Sequence, residues 1–173
     1  MQHAYWFKPL DTIYNAYWLF IDCLSICSMK TIVLAIAVVR KEDSFLLRKK
    51  PDGSPPYPQT WYLFGGEINA EDRDPEKVLK RVVKEQAGID IRMIEQIGWD
   101  TETKKDHEGK LAFYIYLDCL CEYVSGELVA GEGIEKVEWA PEHKLPEYDL
   151  VPPTKKLFHK MKIQTSKAEV WKK

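Results

Sequence analysis

Residues 65–89 constrain this chain more than any other stretch. The pair Gly65-Gly66 follows a short apolar run at 61–64 and reads as a tight turn at the end of a strand. An acidic loop comes next, carrying Glu67, Glu71, Asp72 and Asp74. Pro75 suits the first turn of a helix and Gly88 its stop, the usual asymmetry of helix ends. Between them Val78, Leu79, Val82 and Val83 recur at i, i+1, i+4 and i+5, which makes one apolar stripe. A helix that is apolar on one side needs a sheet or another helix against that side.

The rest of the chain supplies the sheet. Residues 31–40 are apolar on both faces and predict a central strand. Lys41, Glu42 and Asp43 make a polar turn into a returning strand at 44–48. Four prolines and a glycine make 51–60 a loop. Residues 90–99 read as a strand and 100–110 as a charged connection. Residues 111–124 predict a long strand with unequal faces. Leu111, Phe113, Ile115, Leu117, Cys119 and Cys121 form an apolar face, expected in the core. Ala112, Tyr114, Tyr116, Asp118, Leu120 and Glu122 form a mixed face, expected to border a site or solvent. A loop at 126–133, a short strand at 137–140 and a helix at 154–163 complete the pattern. Strands alternating with helices around one sheet predict a mixed α/β sandwich.

At 173 residues the chain is about one domain. Its 25 Lys and Arg against 27 Asp and Glu leave no field that would draw nucleic acid or a membrane surface, and neither is expected as a partner. Cys23, Cys27, Cys119 and Cys121 lack a zinc spacing and read as free thiols, suiting a reducing cytosol and a cytoplasmic protein. The four histidines do not cluster, so no histidine metal site is expected. Residues 1–28 stand apart as an aromatic-rich extension. Their apolar run at 16–27, broken by Asp22, is too short to cross a bilayer. They also lack the basic start and small-residue cleavage site of a signal peptide. The domain is expected at 29–173. The extension reads either as an addition that contributes little or as an amphipathic helix docking on the domain or on a second copy, as a homodimer would use it. Both readings stay open.

Gly66, Arg81, Glu85, Gly88 and Ile89 together resemble the Nudix box, the diphosphate-hydrolysing motif G-x5-E-x7-R-E-U-x-E-E-x-G-U with U an aliphatic residue. The interval from Gly66 to Arg81 is one residue longer than the pattern, so its early acid falls at Glu71 or Asp72. Val82 stands where the acid after the arginine belongs, and Gln86 where the second of the paired acids belongs. The resemblance extends over roughly residues 30–162. Trp61 precedes the glycines, and 131–141 places Glu132 and Glu135 just before a strand bearing Trp139, a layout similar to the loop acid of related proteins.

The resemblance implies an α/β fold, a Nudix-type α/β/α sandwich with a curved mixed sheet. It implies a divalent ion, Mg or Mn, to offset the charge of a polyphosphate and activate water. The implied ligands are Glu85, the amide oxygen of Gln86, Glu71 or Asp72, Glu132 or Glu135, and the Gly66 carbonyl. With Val82 and Gln86 in place of two acids, the ion is expected to be weakly bound. Arg81 would orient a carboxylate. Glu85 and Glu132 would serve catalysis, and Gly65, Gly66 and Trp61 would meet the substrate. Two functions follow from the resemblance. One is a pyrophosphohydrolase acting on a nucleoside diphosphate linked to another group. The other is a catalytically inactive nucleotide-binding or interaction module on the same fold.

Overall fold

The computed structural model describes residues 29–52 and 56–165. The central strand is β1 (Lys30–Lys41), as its two apolar faces predict. Ala35, Ala37 and Val39 belong to one core cluster, while Val38 belongs to another on the opposite face. β1 turns back into β2 (Ser44–Lys49), with Arg40 opposite Phe45. Then follow β3 (Trp61–Tyr62), β4 (Phe64–Glu67), β5 (Ile89–Lys105), β6 (Leu111–Gly126) and β7 (Lys136–Pro141). The seven strands form one mixed sheet in the order β3-β2-β1-β6-β5, with β4 pairing with β1 and β7 with β2.

One helix lies on each face, giving the α/β/α sandwich. Helix α1 (Pro75–Ala87) starts where Asp74 accepts a hydrogen bond from the Glu76 N–H and ends at Gly88, whose φ of 76° needs no Cβ. Its Val78, Leu79, Val82, Val83 and Ala87 are buried. Leu79, Val83 and Ala87 join Ala35, Ala37, Val39, Leu46 and Phe64 in one core. Helix α2 (Pro152–Lys160) buries Leu157 and Phe158 in the other, where the Phe158 and Phe45 rings sit 5.2 Å apart. Among the described residues no helix is long and apolar enough to cross a membrane. The reading of 1–28 lies outside the described residues.

Three expectations need correction. Gly65-Gly66 is strand, not turn: Ala35 pairs with Gly66 and Ile36 with Gly65. The glycines are there for close approach. A Cβ on Gly65 would fall 2.6 Å from Ile36 Cδ1, and one on Gly66 would fall 2.6 Å from Val82 Cγ2. Residues 100–105 are not a connection but the end of β5, paired with β6 as far as Lys105 opposite Leu111. The polar run Asp100–Lys105 needs no core face of its own, because its charged side chains border a cleft. Finally, β6 buries its faces differently from expectation. Cys119 and Cys121 are buried under α1, but Leu111 is 63% exposed and Phe113, Ile115 and Leu117 are only half-buried. A 13-residue helix is about 20 Å long and a 16-residue strand about 50 Å, so α1 covers only part of that face. The mixed face holds the buried Ala112, Tyr114, Tyr116 and Asp118.

The two described cysteines are free and buried, and burial pushes their thiols up to about 11 for Cys119 and about 12 for Cys121. Both behave as small apolar groups.

Candidate functional site

The chain brings two polar regions to the two faces of β4. The first is the box. Asn69 folds the acidic loop by accepting the backbone N–H groups of Glu71 and Asp72 at 3.0 and 2.8 Å. That loop turns the Asp72 carboxylate towards α1, where it accepts from Arg81 at 2.8 Å. Arg81 also reaches Glu85 at 3.6 Å. One guanidinium therefore answers both acids. All three side chains are exposed to water to a third or more, so the pairs order the loop without adding much stability. Glu71 is exposed and lies outside this trio.

The loop at 127–133 docks on the end of α1. Val129 and Gly131 donate their N–H groups to the Ala87 and Gln86 carbonyls, both at 3.0 Å, which satisfies two groups that a helix end leaves open. Gly131 fits because it has no side chain: a Cβ there would lie 2.4 Å from the Glu85 carbonyl oxygen. Exposed Glu132 is thus carried to the same end of α1 as Glu85. Glu135 is paired elsewhere, accepting from Lys49 at 2.6 Å. Gln86 keeps its side-chain Oε1 buried with no hydrogen-bond partner among the described residues. Val82, 5% exposed, packs against Gly66.

This donor set does not fit a preformed divalent-metal centre. Among the described residues no three histidines, cysteines or carboxylates come together. Val82 offers no donor, Gln86 offers a neutral one, and Arg81 already balances Asp72 and Glu85. Arg81, Asp72 and Glu85 form one ion-paired trio along α1, and the backbone beside Glu132 docks at the C-terminal end of the helix. Trp61, by contrast, packs edge-on against Tyr148 at 5.0 Å and pairs with Leu150.

The tight seat of Gly66 gives a testable consequence. Gly66→Ala sets a methyl 2.6 Å from Val82 Cγ2 and 3.0 Å from Val78 Cγ1. We expect a loss of about 1–3 kcal/mol in urea unfolding from overpacking, with part of it recovered by adding Val82→Ala. An unchanged midpoint for Gly66→Ala would show that α1 and β4 do not meet as described.

The second region is a cleft of about 180 Å³ between the sheet and α2. Gly65 opens on this cleft, whereas its neighbour Gly66 faces α1, so one strand borders both regions. Leu34, Ile36, Val151 and Leu157 make its apolar wall, and Tyr57, Tyr62 and Tyr116 add aromatic faces. Arg48 and Lys50 line it with no carboxylate partner among the described residues: Arg48 Nε donates to the Leu63 carbonyl at 3.0 Å, and Lys50 lies 4.9 Å from the Tyr62 ring centre. Burial lowers Arg48 to about 10 and, with the Arg48 and Lys104 charges, also lowers Lys50. On another side Tyr57, from the proline-rich loop, donates to Glu102 at 2.5 Å, and Tyr116 donates to the same carboxylate at 2.9 Å. Lys104 donates to Tyr116 at 2.8 Å and lies within about 5 Å of three tyrosine rings. Burial works against the Glu102 charge, but these hydroxyls and Lys104 hold its carboxyl below the ordinary value.

Sequence reasoning missed Arg48, Lys50 and Tyr57 as site residues. They come from a strand and a loop with no local spacing to mark them. Tyr116 and Asp118 were partly signalled, since both lie on the mixed face of β6.

Comparison with known proteins fits this geometry. The NUDIX domain family model matches residues 29–161. A relative named nucleoside triphosphatase NudI, from Escherichia coli (strain SE11), is 25% identical over 134 residues, covering 74% of this chain and 94% of its own. A NUDIX hydrolase from Nitrosomonas europaea shares the fold with a TM-score of 0.63 at 17% identity, covering 77% of this chain and 89% of that one. The NUDIX domain of Shewanella oneidensis NrtR, solved with ADP ribose, matches with a TM-score of 0.60 at 17% identity, covering 89% and 97%. Across the glycine pair, the α1 helix with its Gly88 stop and the docked Glu132 loop, the chain belongs to the Nudix family.

Proposed function

We propose that this domain binds a nucleoside diphosphate derivative in the tyrosine-lined cleft, and that its box does not by itself support metal-assisted hydrolysis. The observation carrying the first half is the pair Arg48 and Lys50: two cations, neither with a carboxylate partner among the described residues, on the wall of an apolar and aromatic cleft. Such a wall is complementary to phosphate, and the rings beside it suit a base or sugar face. Arg81 spanning Asp72 and Glu85, with Val82 packed into the core, supports the second half.

Nudix hydrolases generally use divalent metals, and the NudI relative is named for nucleoside triphosphate hydrolysis. The hydrolase reading keeps one specific support, the docking of the loop that carries Glu132 on the end of α1 that carries Glu85. Mg or Mn held weakly there by Glu85, Gln86 and Glu132, completed by ligand phosphate, is the form that reading takes. Residues 1–28 are expected to be dispensable for either role.

Calorimetric titration with nucleoside diphosphates, nucleoside triphosphates and ADP-ribose, with and without magnesium, tests the proposal. ADP-ribose enters as a probe because the NrtR domain carries it. Binding without metal and no release of phosphate or nucleotide products is the expected result. Absence of any binding would sink the cleft assignment. Steady magnesium-dependent turnover would instead favour the hydrolase.

A further inference from the structure

The least exposed polar residue of the cleft is left unexplained by phosphate binding. Asp118, on β6, lines the cavity and is 3% exposed. Its Oδ2 is buried, with no donor within hydrogen-bond distance among the described residues. The facing charges are Lys160 and Lys156 on α2 and Asp100 on β5. Lys160 stands 3.6 Å from Asp118 Oδ2, but it donates to the Trp99 carbonyl at 3.1 Å and also lies 3.7 Å from Asp100. Lys156 is engaged by Asp100, at 2.6 and 2.8 Å to its two oxygens. Arg48, Lys50 and Lys104 line the cavity itself. Asp118 therefore has one ammonium at ion-pair distance, shared with Asp100 and the Trp99 carbonyl, and its Oδ2 has no close hydrogen-bond donor among the described residues.

Resting on the nucleotide-binding reading above, we infer that Asp118 determines base specificity by accepting two N–H groups from the edge of a guanine-type ring. An ionised carboxylate only accepts, through two oxygens set side by side. Guanine presents two N–H donors next to each other on its pairing edge. Adenine and cytosine present a donor beside a ring acceptor, which would set a lone pair against the carboxylate. A ribose diol could also donate twice, but the surroundings are flat and apolar: Leu34, Ile36, Val151 and Leu157 with the Tyr116 ring suit the faces of a base. The opposite charge arrangement, Arg48 and Lys50 for phosphate and Asp118 for the base edge, gives the ligand one orientation.

Burial, opposed by Lys160 and assisted by Asp100, raises the Asp118 carboxyl to about 6. At neutral pH it is mainly ionised and accepts both donors. As pH falls through 6 it takes up a proton and can no longer do so. Guanine affinity should follow that titration. The unliganded fold follows the opposite sign, since a carboxyl raised in the folded state favours the protonated form: its stabilising effect is complete at low pH and is lost as pH rises through 6. Asp118→Asn should therefore be folded and no less stable than the parent at pH 7.5.

The test is titration of the full chain with GDP, IDP (identical but for the missing 2-amino group) and ADP. At pH 7.5 GDP is expected to bind at least tenfold more tightly than IDP or ADP. That advantage should shrink at pH 5. In Asp118→Asn the GDP-to-IDP ratio should fall to near one and lose its pH dependence, while ADP should bind more tightly than to the parent, because the amide offers adenine a donor beside an acceptor. No binding of any of the three would overturn the nucleotide reading and this inference with it. Binding of all three with equal affinity, or a GDP preference that Asp118→Asn retains, would overturn the inference alone. The wild-type ratio and its pH profile decide the matter even if the variant does not fold.

Discussion

The paired change Val82→Glu with Gln86→Glu is expected to lower the stability of the domain by about 2–5 kcal/mol in the absence of metal. Val82 is 5% exposed and its methyl groups fill the space above Gly66. A carboxylate in that seat loses water without gaining a donor, because Arg81 is already engaged by Asp72 and Glu85. A second carboxylate at position 86 lies one turn away, beside Glu85, and adds like-charge repulsion. Magnesium should reverse much of the loss, since a cation binding only the folded variant stabilises it by mass action. The melting temperature of the variant should rise with added magnesium, while that of the parent moves little. Magnesium-dependent hydrolysis of a nucleoside diphosphate derivative should appear in the variant above the parental level. A folded variant that neither binds metal nor gains activity would mean this face of α1 does not address a phosphate. Parental activity equal to the variant's would mean that Glu132 and its neighbours already suffice.

The contrast between the two regions tracks how they are encoded. The box is contiguous, so its helix is legible from Asp74, Pro75, the valine stripe and Gly88 alone. β1 is legible for a similar reason: apolar residues on both faces leave little choice but a central strand. Gly65-Gly66 misleads because glycine pairs more often mark turns. Here their need for glycine comes from Ile36, Val78 and Val82, contributed by other elements. The faces of β6 mislead because alternation says which residues share a side, not how far a helix extends over it. The cleft is the least legible part. Arg48, Tyr57, Glu102 and Asp118 come from four segments, and only the sheet order brings them to one place. Charged residues 100–105 look like a connection because their periodicity serves a polar wall rather than a core.

That division makes the helix on the cleft side the sharper place to separate stability from binding. Phe158→Ala is expected to cost about 3–5 kcal/mol, because the ring is fully buried and packs against Phe45 at the base of α2. The same helix supplies Pro153, Thr154 and Leu157 to the cleft wall and Lys160 beside Asp118. Loss of the ring should therefore loosen both the fold and the wall, and nucleotide affinity should fall at temperatures where the variant is still folded. Leu79→Ala provides the control. Leu79 is equally buried, and its loss is expected to cost about 2–5 kcal/mol. But it lies on α1, in the core on the other face of the sheet. Denaturant midpoints should drop for both variants, whereas the affinity measured well below each midpoint should drop only for Phe158→Ala. Equal losses of affinity would mean that the ligand sits at the box rather than in the cleft, or that the sheet transmits disorder from one face to the other. An unchanged affinity in Phe158→Ala would mean that α2 does not shape the binding wall.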